Sequence, residues 1–221
     1  MNRIRAVILA LVAFATTATA CTPTELNEWQ QRTGIDLSAD HEQQILECSA
    51  AKAEADTLAP EHDYLDLDTP MRVYELIARG CRRWSDADIA NWAPGVRAVM
   101  NRESAGCYNL RRGATFADHT GAGCALKPIF DKDGVLVGYA NGPYTDSGYG
   151  QVLMGVHRKW LCAQEGLCTP EDVIATPSSS MTAFLALIER AGRQGWCWTA
   201  KLRRGAVCRL MENLPIPRRQ P

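Results

Sequence analysis

The cysteines that follow position 21 constrain this chain more than any other feature of its sequence. They are Cys48, Cys81, Cys107, Cys124, Cys162, Cys168, Cys197 and Cys208. An even number of cysteines in an exported chain predicts a disulfide framework, although the sequence leaves most of the pairing open. Cys162 and Cys168 flank the short loop AQEGL and form the best local pair. A zinc site is the alternative, but no two cysteines have the C-x2-C or C-x4-C spacing that structural zinc favours.

The first twenty residues are typical of a secretory signal. Arg3 and Arg5 form a positive start, residues 6–15 form an apolar run too short to cross a bilayer, and residues 18–20 read Ala-Thr-Ala. We therefore expect export to the periplasm or the cell surface, with the mature chain beginning near Cys21. An acylated Cys21 would tether a lipoprotein to the membrane. Ordinary cleavage is the alternative, because Ala18 stands where lipoprotein signals usually have leucine.

Charge is distributed unevenly along the chain. Residues 22–70 carry a balance of -10, whereas residues 71–221 carry +7. A basic second part would suit an anionic polymer such as a bacterial cell wall, and a scatter of solvated charges is the alternative. Nucleic acid is a poor fit to an exported, disulfide-rich chain, so we expect no such partner.

Helical patterns dominate the chain and suggest its organisation. After the signal at 1–20 we expect an acidic helical segment and linker at 21–68, with helices stopped at Gly34 and capped near Ser38. A main domain at 69–212 follows, and 213–221 is a Pro-rich tail.

Helix and strand signals are found along the main domain. Its first helix has a cap at Thr69, Pro70 at the first helical position and a stop at Gly80, and Pro94 restarts the next helix. Between 106 and 148 the chain is rich in turn residues, with a β-like run, GVLVGYA, after the turn DKDG. Helices resume with GYGQVLMGVHRKWLC, TPEDVIA and SSSMTAFLALIERAG.

Glu103 is the candidate for chemistry. It shares one helical face with three apolar residues, Val96, Val99 and Met100. A carboxyl group on a core-facing stripe favours its protonated form, as a general acid requires. The alternative is a surface charge that pairs with Arg102 or Arg111.

Two short motifs around this residue resemble the soluble lytic transglycosylase and goose-type lysozyme superfamily. In RESAGC, Glu103 matches the family's catalytic glutamate and Ser104 the residue after it; in SGYGQVL, Gly150 and Gln151 match the glycine and glutamine of a motif that opens a later helix. A third segment, ATPSSSMTAFLALIERAGRQGWCW, looks like the late helix and Trp-bearing loop beside the cleft. The resemblance covers about residues 69–200. The stretch between the two motifs is longer than usual and contains Cys107 and Cys124, so we expect an insertion pinned by a disulfide.

The resemblance implies a mainly α, lysozyme-like domain with a disulfide-pinned loop or small β insertion and an N-terminal helical appendage. It implies cleavage of the MurNAc-GlcNAc β-1,4 bond of peptidoglycan glycan strands, with Glu103 acting as acid and then as base on the muramic acid 6-hydroxyl. No cofactor is expected. The candidate substrate-binding residues are Ser104, Asp146, Tyr149, Gly150, Gln151 and Trp196.

Two other functions stay open. A hydrolytic lysozyme that inverts would need a second carboxylate about 6.5 to 9.5 Å from the first. Asp146 is the best placed for it, with an Asx turn or helix cap as its alternative role, and the weaker candidates are the turn residues Asp118, Asp131 and Asp133. The second function is a non-catalytic wall-binding or envelope protein on the same fold. No metal is expected, since His41-Glu42 lacks the second histidine of H-E-x-x-H.

Overall fold

A computed structural model describes residues 20–58, 67–109, 127–140, 146–197 and 205–220, with the backbone alone at 127–130, 136–140 and 146. The helices of this part of the chain are α1 (Pro23–Thr33), α2 (Ala39–Thr57), α3 (Asp68–Gly80), α4 (Asp86–Ser104), α5 (Met154–Glu165), α6 (Pro170–Ile174), α7 (Pro177–Ala191) and α8 (Ala206–Leu210). A 3-10 turn, Gly192–Gly195, follows α7. The strands are β1 (Lys127–Phe130), β2 (Leu136–Ala140), β3 (Asp146–Ser147) and β4 (Val152–Leu153). The predicted mainly helical fold class is confirmed, and the lysozyme-like arrangement stays a prediction.

Local capping chemistry sets the ends of the first two helices. Thr22 and Glu25 form a reciprocal capping box at the start of α1, and Gly34 ends the helix with a φ of 67° that favours glycine. The Ser38 hydroxyl accepts from the His41 N–H at the start of α2. The end of α1 and the start of α2 therefore lie where the sequence pattern predicts.

The acidic N-terminal segment packs onto the rest of the molecule. Ala55 of α2 lies in the main hydrophobic core, and the Cys48–Cys81 disulfide joins α2 to the end of α3. Both carboxylate oxygens of Asp56 accept hydrogen bonds from Ser178, at 2.8 Å from its backbone N and 3.1 Å from its Oγ. A separate small apolar cluster secures α1 and contains Cys21, Leu26, Trp29, Leu37 and Ile45. These contacts tie the predicted appendage to the core.

Helix α7 is the centre of the core. Every residue from Pro177 to Ile188 except Ser179 is buried, a pattern expected of a helix covered on all sides. It contacts α2, α3, α5, α6, β4 and the 3-10 turn that follows it. The core therefore lies around α7, and the surrounding elements are positioned by their packing against it.

Helix α4 runs without a break through Pro94, although the sequence pattern predicted a restart at this residue. Pro94 is exposed. Proline has no backbone N–H, so the carbonyl four residues earlier in the helix lacks its usual donor. On the solvent face water can bond to that carbonyl, and the helix therefore tolerates the missing hydrogen bond. Helix α3 likewise begins at Asp68, so Pro70 lies in its first turn and not at its first position.

The hairpin of β1 and β2 confirms the predicted β-like run. The two strands are antiparallel, with Ile129 opposite Gly138, and the turn between them is held by Asp131, whose Oδ1 accepts from the backbone N of Asp133 and of Val135. The second motif differs from its prediction. Residues 148–151 form a turn between the short antiparallel strands β3 and β4, and α5 begins only at Met154.

Disulfides join Cys48 to Cys81, Cys162 to Cys168 and Cys197 to Cys208. The bond between Cys162 and Cys168 is the local pair that the sequence predicts. Cys107 is also disulfide-bonded, and Cys124 lies outside the described residues. None of the described helices combines the length and apolar character needed to span a membrane.

Candidate functional site

Glu103 lies where the buried face of α4 meets the surface. Val96, Val99 and Met100 are completely buried, whereas the Glu103 side chain is 26% exposed. Ala105 adopts a left-handed conformation, with φ of 53°, and its N–H bonds to the Met100 carbonyl. The predicted core-facing stripe is therefore present, and the helix ends directly after Glu103 and Ser104.

The carboxylate of Glu103 is paired with its neighbour in the chain. Arg102 donates from Nε to Glu103 Oε1 at 2.7 Å, and Arg102 Nη2 contacts the same oxygen. The second oxygen, Oε2, accepts no hydrogen bond from any residue that the structure describes. One of the two pairings expected for a surface charge thus occurs, while Arg111 lies outside the described residues.

Ser104 connects the first motif to the second. Its side chain is fully buried, and Oγ lies 2.8 Å from the Tyr149 carbonyl oxygen and 3.1 Å from that of Met100. A hydroxyl group has one proton to donate, so these two acceptors share it. The bond to Tyr149 crosses 45 positions of sequence and holds the end of α4 against the turn at 148–151.

The turn that carries the second motif is packed tightly against α7. Gly148 has φ of 75°, and a Cβ there would lie 2.4 Å from Ser180 Oγ. A Cβ on Gly150 would lie 2.6 Å from the ring of Phe184. Ser180 Oγ also accepts from the Tyr149 N–H at 2.8 Å. Glycine at both positions is therefore required by close approach to the helix.

Gln151 closes this turn. It has φ of 48°, which is uncommon for a residue other than glycine, and its side-chain Nε2 donates to the Gly148 carbonyl at 2.9 Å. Its backbone N–H donates to the same carbonyl at 3.0 Å. Gln151 is half-buried. It is thus a motif residue that stabilises the turn and also reaches the surface.

Three predicted substrate-binding residues are buried and do not fit that role. Ser104, Tyr149 and Trp196 are 0%, 2% and 5% exposed. Trp196 donates from Nε1 to the Gly150 carbonyl at 2.8 Å and meets the edge of Phe184, with ring centroids 5.0 Å apart. Burial raises the pKa of Tyr149. Because their side chains are packed inside the protein, these residues support the turn and offer no surface to a sugar.

The other candidate carboxylates are placed in different ways. The backbone of Asp146 pairs with Leu153 in the β3–β4 ladder, and its side chain lies outside what the structure describes, as does Asp118. Asp131 and Asp133 are exposed residues of the hairpin turn, as their sequence context predicts.

Two residues of α7 support the 148–151 turn but were not among the candidate site residues predicted from the sequence. Ser180 and Phe184 both fall within the third motif segment, and both pack against the 148–151 turn. Their spacing could have indicated this shared role, since positions four apart on one helix lie on the same face.

Cys21, the candidate lipidation site, has a free thiol that is 7% exposed in the α1 cluster. Burial and the nearby Glu25 carboxylate raise the pKa of this thiol. Its backbone N–H contacts Ser49 Oγ. An acyl chain on this sulfur therefore requires the thiol to leave the cluster.

Among the described residues, no group of three or more His, Cys, Asp or Glu side chains is arranged to hold a metal ion. In comparisons with known proteins, no family model, no curated protein and no solved structure matches this chain.

Proposed function

We propose that this protein is an exported enzyme that cleaves the MurNAc-GlcNAc β-1,4 bond of peptidoglycan as a lytic transglycosylase, with Glu103 as its single catalytic residue. The observation that carries the proposal is the hydrogen bond from Ser104 to the Tyr149 carbonyl. This bond brings the two motifs of the resemblance together in space, with the glutamate at the end of a buried helical face. The disulfides fit an exported protein.

The chemistry requires one carboxyl group that works twice. In the first step Glu103 gives a proton to the glycosidic oxygen as an oxocarbenium-like centre develops. The carboxylate then takes the proton of the muramic acid 6-hydroxyl, which attacks the anomeric carbon and closes a 1,6-anhydro ring. Oε2 is the oxygen available for this transfer, because Arg102 binds Oε1.

The scaffold would hold this carboxyl group in position. Ser104 is bonded both within α4 and to the turn at 148–151, and that turn is fixed by Ser180 and Trp196. A catalytic group needs its neighbours locked by packing if it is to meet the reacting atom. We place Gln151 beside the sugar as a hydrogen-bonding residue, and Asp146 stays the candidate second carboxylate for a hydrolytic enzyme.

The decisive experiment is digestion of purified cell wall followed by analysis of the released muropeptides. We expect anhydro-muropeptides from the unmodified protein and none from Glu103→Gln. Glu54→Gln is a matched control, because it also removes a glutamate that pairs with an arginine, Arg72, but does so on an exposed surface away from the candidate site. This control should release the same products as the unmodified protein. Products with reducing ends would instead assign a hydrolase, and Asp146→Asn would then be the next variant. If neither the unmodified protein nor the control releases products, the enzyme proposal is wrong.

A non-catalytic wall-binding protein is the second candidate. The observation that favours it is the ion pair between Arg102 and Glu103, since a glutamate used to pair with a cation needs no catalytic role. Cosedimentation with insoluble cell wall distinguishes the two. Binding without any released product, unchanged in Glu103→Gln, would establish the binding protein.

A further inference from the structure

A cavity of about 90 Å³ lies apart from the candidate site, since none of the residues of that site lines it. It is formed by α2, the turn after α3, the end of α5 and the C-terminal tail. Its polar and charged lining residues include Gln44, Lys52, Arg83, Glu165, Arg219 and Gln220. A single water needs roughly 10 to 15 Å³ of such space, so the cavity has room for a polyatomic ligand.

The arginines and glutamates at this cavity neutralise one another. Arg83 donates to Glu189 at 2.8 Å and to Glu165 at 3.1 Å, and its own side chain is only 5% exposed. Arg219, supplied by the tail, donates to Glu189 at 2.8 Å and also contacts Glu165. Two guanidinium groups thus meet two carboxylates, so this cluster carries no net charge.

Lys52 is the cation that this cluster leaves without a partner. Its ammonium forms no ion pair or hydrogen bond with any residue in the described ranges. Burial lowers the pKa of Lys52, with Arg83 and Arg219 lowering it further, while Glu165 and Asp56 oppose the change from a distance. A partly buried ammonium without a partner is costly, so the site favours an anion that supplies one.

Carboxamide groups complete the lining. The side chains of Gln44 on α2 and Gln220 on the tail make no hydrogen bond within the described part of the chain. Each can donate two hydrogen bonds. The backbone of Gln220 is itself anchored, because its N–H donates to the Arg82 carbonyl at 3.1 Å.

We propose that this cavity binds a small oxyanion of about the size of phosphate, held by Lys52 and by the amides of Gln44 and Gln220. An anion is favoured over a cation because both oxygens of Glu165, the acid that lines the cavity, already accept from Arg83. The bound ion connects α2 to the C-terminal tail, so it stabilises the folded protein in proportion to its occupancy.

The test uses the full chain and inorganic phosphate at constant ionic strength, followed by calorimetric titration and by thermal unfolding. We expect one saturable site, and at ten times the Kd an increase of about elevenfold in the ratio of folded to unfolded protein. Lys52→Gln should weaken binding at least tenfold. Lys132→Gln, which removes the same charge from the exposed hairpin turn, should bind phosphate as the unmodified protein does.

An absence of saturable binding in the unmodified protein would overturn the proposal. Equal phosphate binding by Lys52→Gln and the unmodified protein would overturn it as well, as would equal losses in Lys52→Gln and Lys132→Gln. If Lys52→Gln does not fold, Gln220→Ala replaces it, since this exposed tail residue contributes only its amide. Unchanged binding in Gln220→Ala would then count against the site.

Discussion

Ser104 and Gly150 show how individual small residues hold the two motifs together. One provides a buried hydroxyl for the Tyr149 carbonyl, and the other leaves room for the Phe184 ring. Neither is free to contact a ligand with a side chain of its own. Under the proposed function, Ser104 and Gly150 would act by positioning Glu103 and Gln151. Substitutions of these two small residues should therefore change stability and the proposed activity together.

Ser104→Ala should lower the free energy of unfolding by about 1 to 3 kcal/mol, because the Tyr149 carbonyl loses its buried donor. Denaturant titration at constant pH measures this change. Thr57→Ala is the control, since the Thr57 hydroxyl also donates to a backbone carbonyl, that of Glu54 at 2.7 Å, but does so on an exposed surface. Water can replace that donor, so the control should change the free energy by less than about 0.5 kcal/mol. Equal effects of the two substitutions would show that burial of the bond between the motifs contributes nothing.

Gly150→Ala should cost about 1 to 3 kcal/mol, because its Cβ would lie 2.6 Å from Phe184 and force either the ring or the turn to move. Phe184→Leu in the same chain tests the cause. If the clash is responsible, the two substitutions together should cost less than the sum of their separate effects. Thermal or denaturant unfolding of the four proteins gives the coupling, and strict additivity would argue against the clash.

At the scale of whole elements, one disulfide attaches α2 to the core, and two others close short loops elsewhere in the described part of the chain. The Cys48–Cys81 bond spans 33 positions and joins α2 to the end of α3, whereas Cys162–Cys168 spans only 6. A crosslink that closes a longer loop restricts the unfolded chain more. The two bonds should therefore contribute differently to stability.

Replacing Cys48 and Cys81 together by alanine should lower the free energy of unfolding by about 4 kcal/mol, against about 2 kcal/mol for Cys162 and Cys168. Denaturant unfolding of the two double variants, each with its remaining bonds verified by mass spectrometry, measures the difference. A larger loss from the short-loop pair would show that local packing, and not loop closure, determines the contribution.

What the sequence predicts among these elements is local. The helix stop at Gly34, the cap at Ser38, the hairpin turn at Asp131 and the Cys162–Cys168 pair all depend on residues a few positions apart. The burial of Trp196 depends instead on contacts with Gly150 and Phe184, which no periodicity in the sequence reveals.

The same distinction applies to the candidate site. Helical phase correctly predicts that Glu103 shares a face with buried residues, because the pattern lies within one helix. The pairing of Glu103 with Arg102 is local in the same way, whereas the close packing of the 148–151 turn on α7 arises only after distant elements meet. For that reason the motif residues could be identified from the sequence, but Ser104, Tyr149 and Trp196 were predicted to bind substrate although they are buried and support the turn.

At the scale of the whole molecule, the C-terminal tail crosses elements that are far apart in sequence. Its Pro215 carbonyl accepts from Trp92 Nε1 at 3.0 Å, and its Arg219 joins the cluster formed by Arg83, Glu165 and Glu189. Burial alone would raise the pKa of Glu165, but Arg83 and Arg219 outweigh it and hold that pKa below its ordinary value of about 4.5. The tail therefore contributes stability at neutral pH that depends on the ionised form of Glu165.

The sign of the pH dependence follows from this direction. A carboxyl group whose pKa is lower in the folded than in the unfolded state stabilises the protein above the ordinary pKa, and this stabilisation is lost as the pH falls through the lowered value. The free energy of unfolding should thus decrease on acidification below about pH 4.5. Urea unfolding at several pH values between neutrality and about pH 3 measures the profile.

Arg219→Gln isolates the part of this dependence that the tail supplies. Removing one of the two cations raises the pKa of Glu165 in the folded state towards its ordinary value. The difference between the folded and unfolded states then becomes smaller, so less stability should be lost on acidification below about pH 4.5. Because Arg219 is 42% exposed and screened by solvent, its loss should cost only about 1 kcal/mol at neutral pH. Arg218→Gln is the matched control, since this neighbouring tail arginine is exposed and lies outside the cluster. If both substitutions leave the pH profile unchanged, Arg83 alone sustains the ionised Glu165, and the tail is held to the core by its backbone contacts with Trp92 and Arg82.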